Sequence, residues 1–246
     1  MKKFLIYYLF IALSICVNSC DAGFNEETSD TTDTVVSQSL AGVTYGNSTF
    51  VAVGNAGTIQ TSSNGTTWTS RSVGAGITLT GITYGNSTFV AVGTAGNILT
   101  SSNGTTWTSR SSSFNSIVTE NLWGVSYQNG TFVAVGTAGS IITSLYGDYW
   151  TSRTSGVTHN LWGVTYGNST FVAVGNDGTI QTSSNGTTWN NGTSPVSQRL
   201  TGVTYGNSTF VAVGNAGTIQ TSSNGTTWTS RTSGVSQRLD GVTYSQ

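Results

Sequence analysis

Two tryptophans occupy matching places in two similar segments, TENLWG at 119–124 and THNLWG at 158–163. Indole faces stack on the CH-rich surfaces of sugars and on peptide side chains, while nearby amides and carboxylates orient such ligands. We therefore predict a binding patch for a glycan or a protein ligand; the alternative is that both indoles only fill a wider gap between structural units. The patch comprises Trp123, Trp162, Glu120, Asn121, His159, Asn160 and, from the GNDG turn at 175–178, Asp177.

The same residues give little support for catalysis. His159 is the only histidine, and without a second histidine or a nearby cysteine it cannot form a metal site. A hydrolase with paired carboxylates needs two acids roughly 5–10 Å apart, for which Glu120 with Asp177 is the one candidate pair. We therefore predict no catalytic residue, no metal and no cofactor, with a hydrolase kept as the alternative.

The charge balance argues against nucleic acid as a partner. Only 7% of the 246 residues are charged, and the formal net charge is −1. Binding to phosphate backbones requires a cluster of lysines and arginines, and the sequence contains no such patch. The polar surface is instead supplied by serine, threonine, asparagine and glycine, so no nucleic acid is expected.

An internal repeat must position these residues. Each unit has four short strand patterns, which in the first unit are GVTYG (42–46), TFVAVG (49–54), TIQTS (58–62) and TTWTSR (66–71), separated by turn residues. A period near 40 with four antiparallel strands per unit is typical of a β-propeller blade. The repeat is clearest in its tyrosines, Tyr45, Tyr84, Tyr127, Tyr166, Tyr205 and Tyr244, which are separated by 39, 43, 39, 39 and 39 residues.

The number of units leaves the closure of the propeller open. Five complete units cover about 40–236, and LDGVTYSQ at 239–246 begins a sixth. We predict an all-β propeller over 37–246 with five four-stranded antiparallel blades, in which one end strand closes the ring and the other is displaced. The alternative is an incomplete six-bladed ring, closed by a partner chain or by missing sequence. The surplus end strand also suggests self-association.

The heptapeptide SSNGTTW occurs at 62–68, 101–107, 183–189 and 222–228. It resembles the Asp-box, or BNR repeat, of sialidase-type propellers, with asparagine in place of aspartate, and is similar to the repeats of photosystem II assembly factor-like propellers. The resemblance covers 40–244 and implies the propeller fold. We expect Asn64 to accept backbone N–H bonds across the turn, Gly65 to have positive φ, and Trp68 to lie between blades. In sialidase-like folds the box lies on the face opposite the active site.

The resemblance makes a sialidase-type glycoside hydrolase the alternative function. That family needs three convergent arginines, a Tyr/Glu nucleophile pair and an aspartate. In this chain the arginines occupy one repeated position, so separate blades carry them and they cannot converge. We therefore expect a non-enzymatic binding or assembly module, with a purely structural surface protein as a further alternative. The arginines concerned are Arg71, Arg110, Arg153 and Arg231.

The chain begins with MKKFLIYYLFIALSICVNSC, in which two lysines precede an apolar stretch that is too short to span a bilayer comfortably. The stretch ends in a segment that resembles a bacterial lipobox, so we predict a signal peptide at 1–19 and an acylated Cys20. The acidic segment 20–36 would be a disordered tether. These features predict a lipoprotein in the bacterial cell envelope, held to a membrane through lipid on Cys20, on the outer surface or the periplasmic side. An ordinary signal peptide cleaved nearby is the alternative.

Overall fold

A computed structural model describes residues 39–74, 76–110 and 120–244. The predicted signal peptide at 1–19, the acylated Cys20 and the tether up to residue 36 lie outside the described residues, as do residues 111–119 before the third blade. Within the described ranges, no helix has the length and apolar character needed to cross a membrane.

The described residues form five four-stranded antiparallel sheets in a propeller arrangement, which confirms the predicted all-β class and the five blades. Each sheet follows chain order, so consecutive strands pair as neighbours. The strands are, in blade one, β1 Leu40–Gly46, β2 Thr49–Gly54, β3 Thr58–Ser62 and β4 Thr69–Ser72; in blade two, β5 Leu79–Gly85, β6 Thr88–Gly93, β7 Ile98–Ser101 and β8 Thr108–Ser109; in blade three, β9 Leu122–Gln128, β10 Thr131–Gly136, β11 Ile141–Ser144 and β12 Thr151–Arg153; in blade four, β13 Leu161–Gly167, β14 Thr170–Gly175, β15 Ile180–Ser183 and β16 Asn190–Asn191; and in blade five, β17 Leu200–Gly206, β18 Thr209–Gly214, β19 Ile219–Ser222 and β20 Thr229–Arg231.

The hydrophobic core lies between blades, because the second strand of each blade is buried on both faces. In β14, Phe171 and Ala173 face blade three, whereas Val172 and Val174 face blade five. A continuous apolar run is the pattern expected for a strand covered on both sides. Each blade therefore has a leading face and a trailing face, and in blades two to five the leading face packs on the trailing face of the preceding blade.

The Asn-type box behaves as the sequence predicted. In blade four, Asn185 Oδ1 accepts bonds from the backbone N–H groups of Thr187 and Thr188 at 2.8 and 3.0 Å. Trp189 Nε1 donates to the Gly186 carbonyl at 3.0 Å, and its indole packs on blade three. Gly65 has φ of +75°, as expected. The box thus fixes the turn between the third and fourth strands and aims the indole into the interblade core.

The two ends of the propeller differ from the predicted closure. Residues 239–244 take the place of a sixth inner strand, since Leu239 and Val242 pack on the trailing face of blade five. A Cβ at Gly202 would lie 3.4 Å from Gly241 Cα, whereas a Cβ at Gly241 would meet nothing within 4 Å. Strand β1 keeps its own place in blade one, so neither end strand is displaced. The leading face of blade one is left exposed. The prediction that Trp68 lies between blades was therefore wrong, because Trp68 is 38% exposed.

Candidate functional site

The seven predicted site residues lie on one face of the propeller. The connections between blades and the turns from second to third strand meet there, as shown by the bond from Ala95 N–H to Asn121 Oδ1 at 2.9 Å. On the opposite face the box turns meet the turns from first to second strand, as in the bond from Asn47 Nδ2 to the Ser102 carbonyl at 3.2 Å. The predicted separation of the patch from the boxes is therefore present.

Trp123 and Trp162 are in contact across blades three and four. Their ring centroids are 4.8 Å apart and their planes are inclined by 32°, which is a close, tilted ring contact. The backbones are not wider apart here, because a Cβ at Gly124 would lie 2.8 Å from the Trp162 carbonyl oxygen, against 3.1–3.4 Å for the nearest atoms at Gly42, Gly81 and Gly163. The indoles therefore form a surface above closely packed strands, and the geometry gives no support to gap filling.

Arg199 extends this pair, although the sequence analysis did not select it. Its guanidinium carbon lies 4.7 Å from the Trp162 ring centroid, within the range of a cation–π contact. Asn176 Oδ1 holds both groups, since it accepts from Trp162 Nε1 at 2.7 Å and from Arg199 Nε at 3.0 Å. We call Trp123, Trp162 and Arg199 the Trp-Trp-Arg cluster. It runs across blades three, four and five.

A sequence signal for Arg199 was present in the repeat. Arg199 directly precedes the leucine of its L-x-G motif, the position held by Asn160 one blade earlier and by Asn121 two blades earlier. An arginine at this position is long enough to reach back over the tryptophan of the preceding blade. Comparing that position between neighbouring blades, and not only within the two tryptophan segments, would have included it.

Two buried polar atoms beside the cluster lack hydrogen-bond partners in the described part of the chain, Trp123 Nε1 and Thr137 Oγ1. Thr137 holds the same repeat position in blade three as Asn176 holds in blade four. The Asn176 amide reaches the indole N–H of its blade, whereas the shorter threonine leaves Trp123 Nε1 unpaired. The indole N–H of Trp162 is therefore fixed by a hydrogen bond, whereas that of Trp123 is not.

Asn121 and Asn160 have structural roles. The side-chain oxygen of each accepts a backbone N–H from the second-to-third turn of the preceding blade, that of Ala95 at 2.9 Å and that of Ala138 at 3.0 Å. Both alanines have φ of +53°, in the left-handed region that side-chain-bearing residues rarely adopt. The asparagines thus help to hold these turns through their amide oxygens.

His159 and Asp177 lie together at the edge of the cluster. His159 Nε2 is 3.3 Å from Asp177 Oδ2, and both side chains are largely exposed. The other ring nitrogen, Nδ1, lies 3.1 Å from Thr179 Oγ1. Because both groups are well solvated, we treat the pair as a surface contact. No group of three histidine, cysteine, aspartate or glutamate residues suited to a metal ion occurs among the described residues.

Glu120 and Arg199 are the charged residues of this face that form no ion pair with another described residue. Glu120 is exposed at the start of blade three and belongs to neither of the two ion pairs found among the described residues. Arg199 is half-buried, and no carboxylate forms an ion pair with it in that part of the chain. Trp162 lies between Trp123 and Arg199, so the cluster presents the uncovered part of Trp123 and a positive charge whose terminal N–H groups can bind an anion.

Comparisons with known proteins identify the architecture. No family model matches the chain, and no curated protein matches it. Among solved structures, the chain is similar to YCF48 bound to a D1 peptide, at 17% identity and a TM-score of 0.63 over 80% of this chain and 67% of that one. It is also similar to YCF48 from Cyanidioschyzon merolae, at 14% identity and a TM-score of 0.60 over 84% and 81% of the chains. Virginiamycin B lyase from Staphylococcus aureus gives 12% identity and a TM-score of 0.68 over 78% and 69%. At these identities the likeness shows a propeller fold.

Proposed function

We propose that the chain is a non-enzymatic binding or assembly module and that its Trp-Trp-Arg cluster holds a peptide segment of a protein ligand. The observation that carries this proposal is a pair of indoles in contact, one of which also contacts an arginine whose charge is unpaired among the described residues. Such a surface combines a large apolar area with one directional anchor, the composition common to the energetic centres of protein interfaces.

The chemistry of the cluster favours an acidic peptide. Guanidinium groups bind carboxylates through two parallel hydrogen bonds, and Arg199 has its terminal nitrogens available because only Nε donates to Asn176. Proline, aliphatic or aromatic side chains would lie on the part of the Trp123 indole that Trp162 does not cover, next to Arg199. The similarity to a propeller solved with a bound peptide supports the peptide class over a glycan, although that peptide belongs to the other protein.

The proposal of a non-enzymatic role rests on how the polar residues are distributed. Arg153 and Arg231 lie at the ends of outer strands in separate blades, which gives no arginine cluster for a sialic acid carboxylate. Asp177 pairs with His159, in an open and solvated setting. A sialidase-type hydrolase remains the alternative, and turnover of a fluorogenic sialoside by the purified chain would favour it.

We also propose that the module is displayed on a bacterial membrane through lipid on Cys20. The support is the sequence of the leader, with its positive start, apolar stretch and lipobox-like end. Metabolic labelling with a palmitate analogue tests this directly. We expect label in the wild-type chain and none in Cys20→Ala; equal labelling of both chains would exclude Cys20 as the attachment site.

A display library of random peptides tests the ligand proposal. We expect peptides selected on the full chain to be enriched in acidic residues next to proline or aromatic residues. Binding should fall about tenfold in Arg199→Gln and in Trp162→Ala, since removal of an interface anchor commonly costs 1 kcal/mol or more. The control is Tyr149→Ala, which removes an exposed aromatic side chain from the opposite face. A glycan array is probed in parallel. If the array shows binding that depends on Trp162 and the peptide library does not, the ligand is a sugar.

A further inference from the structure

The leading face of blade one is an apolar interblade surface that no blade among the described residues covers. Its exposed members are Val43, Tyr45 and Trp68, which are 44%, 57% and 38% exposed. The tryptophans at the same box position in blades three to five are only 5–7% exposed, because each packs on the preceding blade. This face therefore has the composition of a core layer and the exposure of a surface.

The repeat provides a surface that fits this face. Residues 42–71 of blade one are identical to residues 202–231 of blade five. In blade five the corresponding leading face, with Val203, Tyr205 and Trp228, packs on Val172, Val174 and Ile180 of blade four. The residues of blade one are thus those of an interface that already forms within the chain.

The trailing face of blade five is the complementary surface. It presents Val211, Val213 and Ile219, the same residue types as the trailing face of blade four. Leu239 and Val242 pack on it and Tyr244 lies against Gly206, whereas blade four also receives a phenylalanine, an alanine and a tryptophan from the next blade. The cover over blade five is therefore an inner strand without the rest of a blade.

We propose that the leading face of blade one docks on the trailing face of blade five of a second copy of this chain. A second copy fits as the occupant, because the same two kinds of face already pack together inside the chain. There the leading face of blade five packs on the trailing face of blade four. The contact joins different surfaces of the two copies, so it is head-to-tail, and successive copies either close into a ring or form a longer assembly.

Residues 239–244 act as a removable cap in this arrangement. Their sequence LDGVTY differs from LAGVTY at 40–45 only in Asp240, so the segment copies the inner strand of the incoming blade. It is held by the bond from Leu239 N–H to the Gly214 carbonyl at 3.0 Å and by the packing of Leu239 and Val242. Blade one buries more apolar surface at the same place, and its docking displaces the cap.

Sedimentation velocity of the full chain in a mild detergent, over about a hundredfold range of concentration, tests the proposal. We expect the wild type to form dimers and larger species as its concentration rises. Tyr45→Lys should weaken this association about tenfold or more, because it places a charge in the centre of the interface. Tyr149→Lys is the matched control, since Tyr149 is 72% exposed on a different face, and it should associate as the wild type does.

Removal of residues 239–246 provides the second variant. Without the cap, association should become about tenfold stronger, because the trailing face of blade five is then free. The proposal is overturned if the wild type and the truncated chain both stay monomeric over the whole range. It is also overturned if Tyr45→Lys and Tyr149→Lys reduce association equally, which would indicate a contact through another surface. Both results are independent of peptide binding at the Trp-Trp-Arg cluster.

Discussion

The repeated box tryptophan offers a paired test of what holds the blades together. Trp68 and Trp189 occupy the same position in the same heptapeptide, SSNGTTW, and each indole N–H donates to the glycine carbonyl of its own box, at 3.2 and 3.0 Å. They differ in their neighbours, since Trp189 packs on blade three, whereas in the described part of the chain no blade packs on Trp68. Replacing each tryptophan by alanine therefore separates the contribution of interblade packing to stability from the contribution of the tryptophan to its own turn.

The size of the difference follows from the exposed fractions. Trp189 is 7% exposed and Trp68 is 38% exposed, so blade three covers about a third more of the side chain. An aromatic side chain buries about 150–250 Å², which makes that third roughly 75 Å² or about 2 kcal/mol at ~25 cal/mol per Å². Trp189→Ala should cost about 3–5 kcal/mol of unfolding free energy, as deletion of a buried tryptophan commonly does. Trp68→Ala should cost about 2 kcal/mol less.

Urea unfolding followed by far-ultraviolet circular dichroism measures both values, with linear extrapolation to water. The protein should be dilute enough to sediment as a monomer, so that Trp68 is not buried by a second copy. Equal losses for the two variants would refute the reasoning, because they would show that the indole acts within its own turn. A larger loss for Trp68→Ala would refute it more strongly.

Three further substitutions test individual contacts by the shift of the urea midpoint against the wild type. Thr137→Asn should raise stability by about 1 kcal/mol, because an amide at this position can pair with Trp123 Nε1 as Asn176 pairs with Trp162; no gain would mean that the indole N–H is not a buried unpaired donor. Tyr146→Asn should add about 0.5–1 kcal/mol by restoring the box asparagine of blade three, and a loss would show that exposed Tyr146 supports the fold. Asp177→Ala should change stability by less than about 0.5 kcal/mol, because its pair with His159 is exposed and alanine already occupies the same left-handed position in the other four blades; a cost above about 1 kcal/mol would indicate a structural ion pair.

The fold was predictable because the same pattern of strands and turns occurs in five consecutive units. Four short strand patterns with turn residues between them specify a small antiparallel sheet, and the doubly buried TFVAVG strand requires neighbours on both faces. The prediction that Asn64, Gly65 and their equivalents form the turn was confirmed, since box geometry depends only on nearby residues. The prediction of how the ring closes was wrong. The sequence shows that the two end segments match, but it does not show which of them occupies which inner-strand position.

The site could be predicted in part. The sequence identified the two tryptophans because they interrupt an otherwise uniform repeat, and the structure brings them to 4.8 Å. It could not show that Asn121 and Asn160 are occupied by backbone groups of the preceding blades, or that Arg199 reaches Trp162. Those contacts join residues of different blades, and the distances between blades depend on packing that no single repeat encodes.

A double-mutant cycle between Arg199 and a carboxylate of a selected peptide tests the proposed function most directly. Isothermal titration calorimetry would give the affinity of wild type and Arg199→Gln for the peptide and for its variant with aspartate replaced by asparagine. We predict that each change weakens binding about tenfold and that the two together weaken it little more than either alone, since both remove the same contact. Losses that simply add, or an affinity unchanged by Arg199→Gln, would contradict a Trp-Trp-Arg cluster that holds an acidic peptide.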